Sequence, residues 1–164
     1  MNLLRRVLIS AAIGISLLVA GCAATAPAVD PAVTRVLAPT GTLRVGVYPG
    51  SPTSLVVNPK TGERAGVALE LGQALGKQLG LPVQVVEFGR LALVLDALKA
   101  GTVDFAFTNA TEARAKDMAF TQPLIQLELG YLVPPGSAIA TVADVDRAAH
   151  RVGVTEGSSS QGVL

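Results

Sequence analysis

From Val67 to Leu79 the apolar residues Val67, Leu71, Ala74, Leu75 and Leu79 recur at helical spacing, and Gly80 supplies a C-terminal stop. Leu91 to Ala100 gives a second helical signal, ended by Gly101. Short apolar runs surround these segments. "GTLRVGVY" (41–48) is mostly apolar with little alternation, the pattern of a strand covered on both faces. "PVQVVEF" (82–88) predicts a second strand and "VDFAFT" (103–108) a third. The polar "NPKTGER" (58–64) carries a turn signal at Thr61-Gly62 and predicts a surface hairpin. "EARAKDMAF" (112–120) reads as a further helical piece. Beyond it, "LELGYLVPPGS" (127–137) and "RVGV" (151–154) predict strands, and "EGSSSQGVL" (156–164) a glycine turn into a helix N-terminus.

Strand, helix, strand, helix, strand with short connections is the order of an α/β fold, a parallel sheet wound by helices. Ligands of such sheets sit beyond the carboxyl ends of the strands. Tyr48 to Ser54 and Thr108 to Thr111 both follow strand ends, so they are expected to face one crevice. After Ser137 a new unit begins, and one strand with the start of a helix cannot bury a core alone. It reads as incomplete.

The N-terminus changes the picture. Arg5 and Arg6 precede an apolar stretch from Val7 to Val19, too short for a comfortable membrane span, which closes on Leu18-Val19-Ala20-Gly21-Cys22. Small residues before a lone cysteine resemble the lipobox of bacterial lipoproteins, in which Cys22 is lipidated and becomes the mature N-terminus. A plain secretory leader with a chance cysteine is the other reading. Residues 1–21 are read as the leader, and residues 22–40, rich in Ala, Pro and Thr without helical periodicity, as a tether. Cys22 is the only cysteine, which excludes an intrachain disulfide and a thiolate metal cluster. Loss of the leader takes Arg5 and Arg6 from the 13 basic side chains and none of the 12 acidic ones, leaving a net charge of −1. With no basic patch, no interleaved aromatics and no tryptophan, nothing points to nucleic acid.

Arg114 is the foremost candidate for chemistry. An arginine near a strand end, preceded by Thr108, Asn109 and Thr111, can grip a carboxylate through charge-assisted hydrogen bonds. The same residues also make an ordinary capped helix start, with Thr111 as N-cap, Glu112 in the first turn and Arg114 in solvent. Ser158, Ser159 and Ser160 after Gly157 can receive an anion at a helix start, or form a flexible serine-rich tail. Tyr48 can stack on a ligand or sit in the core edge. His150, the only histidine, lies beside Arg151 in a connection, so no Ser/His/Asp or Cys/His machinery is expected. Glu70, Asp96 and Asp104 lack metal-ligand spacing, and no cofactor is expected.

Four stretches taken together resemble the family 3 bacterial extracellular solute-binding proteins, which feed amino acids to ABC transporters. They are "GTLRVGVYPG", "GERAGVALELGQALGKQLGLPVQVV", "ALKAGTVDFAFTNATEARAKDMAFTQPL" and "VADVDRAAHRVGVTEGSSS", in the family's order over Gly41 to about Ser160. The third is the most specific: "L-K-x-G-x-x-D" followed by "T-x-x-R-x-x-x-x-x-F-[ST]-x-P". The resemblance implies a periplasmic-binding-protein-like (type II) fold, two α/β lobes closing on a ligand. It divides the chain into a first lobe over 41–130 and a hinge strand with an incomplete second lobe over 131–164. Arg114 would hold the ligand's carboxylate, with Thr111, Asn109 and Thr108 beside it and Gly157-Ser158-Ser159 offering N–H groups and a hydroxyl. The segment from Asp104 to Arg114 is about two residues shorter than in well-known members. Tyr48 stands where the family often has an acid, Ser51 where it often has an aromatic, and Ala68 where it has the acid of "G-F-D". The family's ammonium-binding acid would lie beyond Leu164.

The resemblance thus implies an exported, periplasmic or cell-surface lipoprotein anchored through Cys22. It would bind an amino acid or similar small carboxylate and dock on an ABC permease, without catalysis. As a truncated form it is expected to bind ligand weakly or not at all alone. The rivals are a dehydratase-type enzyme on the same scaffold, a sensor-linked domain and a non-functional remnant.

Overall fold

A computed structural model describes residues 29–147 and 149–162. Cys22 and the residues read as a leader lie outside the described residues.

β1 (Leu43–Val47) is covered on both faces, as its unbroken apolar character predicts, and pairs in parallel with β4 (Val83–Glu87), Leu43 opposite Val83 and Val47 opposite Glu87. Between them come β2 (Val56–Val57) and β3 (Arg64–Ala65), which form the expected antiparallel hairpin. Its loop is held by the Asn58 side chain, which accepts from Lys60 N at 2.9 Å, an Asx turn.

α2 (Val67–Leu79) and α3 (Leu91–Lys99) close the two faces of β1. For this numbering α1 is Pro31–Leu37. Successive strand residues point to opposite faces, and β1 shows this directly. The Val45 side chain meets Gly72 of α2, whereas Gly46 approaches Val94 of α3. The core is Leu43, Val45, Val47, Leu55, Ala68 and Leu69, with Ala38 and, more loosely, Leu81, Val85 and Phe105 packed against it. α2 ends where Gly80 takes a left-handed conformation, its N–H donating back to the last turn.

Four expectations need correction. The Ala/Pro-rich stretch before residue 40 carries a helix, α1: Asp30 caps it by accepting from Ala32 N at 2.8 Å, and Pro31 fills the first position, where its missing N–H costs nothing. The third strand shrinks to a single bridge, Val45 with Phe105, beyond which the chain leaves β1 for the Arg114 side chain, which bonds Thr108 and Asn109. The segments 127–137 and 151–154 form no strand: among the described residues neither has a neighbour to pair with, and strands exist only in ladders. Leu127, Leu129 and Leu132 are accordingly exposed. The helix expected after Gly157 is one 3-10 turn, Ser160–Gly162. Two other short helices are α4 (Glu112–Ala115) and α5 (Val142–Val145), the latter opened by a capping box of Thr141 and Asp144.

Candidate functional site

Arg44 on β1 and Asp104 just before the bridge fix where the third segment leaves the sheet. The Arg44 guanidinium grips Asp104 at 2.8 and 2.6 Å, and Arg44 N donates to the same carboxylate at 2.9 Å. These hydrogen bonds hold the Asp104 carboxyl below the usual carboxylate range, with burial acting in the opposite direction. The motif aspartate is therefore a strut, not a ligand group. On the neighbouring strand exit, buried Ser54 accepts from Tyr48 N at 2.8 Å and sets the path of the chain after β1.

From that fixed exit the chain reaches Thr108, Asn109 and the short α4. Thr111 caps α4 by accepting from Arg114 N at 3.3 Å. The capped-start reading of this stretch is correct for Thr111, yet Arg114 does not point to solvent. Half-buried, its Nη1 donates to Thr108 Oγ1 at 2.7 Å and to the Asn109 carbonyl at 3.1 Å, and its Nη2 donates to the Gly157 carbonyl at 2.7 Å. A guanidinium has five N–H donors; these bonds take three, leaving Nε–H and one Nη2–H without a partner among the described residues.

The charge around Arg114 is uncompensated. Burial pushes its guanidinium below the ordinary value and the nearby Tyr48 oxygen acts against that, while arginine stays protonated in any working buffer. Among the described residues no carboxylate pairs with it. Asp117, three residues on, is paired with Lys99 at 2.8 Å, and Glu156, beside Gly157, with Arg90 at 3.1 Å, while Glu112 makes no ion pair with Arg114 among the described residues.

Asn109 Nδ2 donates to Ser159 Oγ at 2.7 Å, so the segments around 109 and 159 meet. Between them lies an open cavity of about 450 Å³ lined by Thr111, Ala113, Arg114, Ser158, Ser159 and Gln161 among others. Arg114, Thr108, Asn109, Thr111, Ser158 and Ser159 thus fall in one cluster. Tyr48 stands near the guanidinium but outside the cavity lining, and the expected N–H groups are partly occupied: Gly157 N donates to Gln161 Oε1 at 2.8 Å and Ser158 N to the Thr155 carbonyl at 3.0 Å. Gln161 is the polar side chain of the cavity lining that sequence reasoning missed. Its signal was the S-x-x-Q spacing from Ser158, whose Oγ accepts from Gln161 N at 3.3 Å, half of a capping box.

Fold and site together define an α/β protein with an open cavity, lined in part by Arg114, beyond its strand exits. Within that class, the family model for bacterial extracellular solute-binding proteins, family 3, matches residues 43–159, and the chain belongs to this family. No curated protein matches the chain. Four solved chains match, among them an ancestral cyclohexadienyl dehydratase at 28% identity and a TM-score of 0.46. That match covers 52% of this chain and 35% of the dehydratase, so the chain spans about a third of that structure's length.

Proposed function

We propose that the chain is the exported solute-binding component of an ABC transporter, tethered through lipidated Cys22, and that it holds an amino acid or similar small carboxylate against Arg114. One observation carries the proposal: a half-buried guanidinium, braced by three protein acceptors, keeps two donors unfilled and has no carboxylate partner among the described residues. A half-buried charge in that state has lost part of its hydration, and a carboxylate supplies both the hydrogen bonds and the counter-charge.

Binding rather than turnover is the reading because the cavity lining offers a guanidinium, hydroxyls, an amide and an alkyl group. None of these exchanges a proton readily near neutral pH, as acid–base catalysis requires. Membership of an extracellular family and the leader-like N-terminus support export. In the transporter, solute would favour the closed arrangement by binding it more tightly than the open one, and the permease would read the difference.

The test is a thermal-shift screen of the chain against amino acids and simple carboxylates, repeated with their amides. Carboxylates that raise Tm while the matching amides do not support the proposal, since only a ligand of the folded state stabilises it. Equal shifts from acid and amide, or a larger shift from the amide, would count against it.

A further inference from the structure

The turn 155–162 is seated on the α/β unit by contacts that involve no solute. Gly157 has φ +76°, a conformation side chains rarely adopt, and lies flat on the first turn of α3: a Cβ there would stand 2.9 Å from Ala92 Cβ and 3.1 Å from Ala92 Cα. The neighbouring Glu156 reaches Arg90, the residue immediately before α3, at 3.1 Å. The Gly157 carbonyl accepts from Arg114 at 2.7 Å and Ser159 accepts from Asn109 at 2.7 Å. Gln161 ties the turn to itself by accepting from Gly157 N.

We propose that residues 155–162 form a latch over Arg114 that protein contacts alone hold shut, with Gly157 as its seat and the Arg90–Glu156 pair as its outer clasp. The seat matters more than the clasp. Both members of the pair are largely exposed, and exposed pairs contribute little and weaken with salt. The close approach at Gly157, by contrast, admits no other side chain without movement. Closure also places a backbone carbonyl on one guanidinium donor, and a carboxylate, the stronger acceptor for a cation, competes for that position.

Amide hydrogen exchange of the solute-free chain tests this without reference to any ligand, so its outcome is independent of which solute the cavity takes. Amides of 155–162 are expected to be protected in the wild type. Gly157→Ala should speed their exchange by roughly tenfold or more, as overpacking strain of this kind converts to rate, and leave β1 and α2 unchanged. Arg90→Ala should speed the same amides by a smaller factor, and the wild type should approach it as salt rises. Where Gly157→Ala does not fold, Arg90→Ala carries the test. Free-peptide exchange of 155–162 in the wild type, or protection that neither substitution lowers, would overturn the latch.

Discussion

At the residue scale the account rests on two arginines with opposite tasks. Arg44 has its carboxylate, Asp104, and is structural; Arg114 has none among the described residues and is available to a ligand. Spacing alone singled out Arg114, because hydroxyl and amide residues cluster before it. The task of Arg44 was not legible, since its partner lies 60 positions away. Asp104 gives a pH prediction. Its carboxyl is held low in the folded state, so its stabilising contribution is full above the unfolded value of about 4 and is lost as pH falls through the folded value. Urea unfolding at pH 7 and pH 3 should show Asp104→Asn destabilised at pH 7, with a shallower loss on acidification than the wild type. An identical acid response would contradict the pairing. Arg114→Lys keeps the charge but not the fork, and cannot satisfy Thr108, Asn109 and Gly157 together. It should weaken carboxylate binding about tenfold or more, the worth of a charged hydrogen bond or two, and lower the unfolding midpoint as well.

At the element scale the sequence located α2 to the residue and misjudged its inner face. The residues whose spacing predicts the helix are half-buried at Val67, Leu71, Leu75 and Leu79 and exposed at Ala74, while the fully buried positions are Ala68, Leu69, Gly72 and Gly76. Hydrophobicity patterns are blind to glycine, and here glycine is what lets the helix backbone lie against Val45 and Val83. Helix propensity says Gly72→Ala should stabilise by about 1 kcal/mol. The added Cβ would stand 2.6 Å from Val45 Cγ2, and overpacking of that kind costs about 1–3 kcal/mol. Packing wins, so Gly72→Ala should lower stability in denaturant unfolding, and Val45→Ala should partly rescue it in a double-mutant cycle. Simple stabilisation by Gly72→Ala would refute the close contact. The strands expected at 127–137 and 151–154 failed for a different reason: apolar pattern marks a candidate strand, but only a neighbour makes it one.

At the scale of the whole molecule, the α/β class followed from the order of elements, and the cavity from the convergence of a strand exit with a later turn. Class was legible because helix periodicity and buried strands are local properties. Convergence was legible only through family resemblance, since nothing local says that Asn109 meets Ser159 fifty residues on. The most direct test of the central claim is a carboxylate titration followed by amide NMR, which detects weak as well as tight binding. Saturable shifts should centre on Thr111, Arg114 and residues 157–161, appear with carboxylates and not with the corresponding amides, and vanish in Arg114→Ala. Shifts that persist unchanged in Arg114→Ala, or that map elsewhere, would contradict a carboxylate site on Arg114.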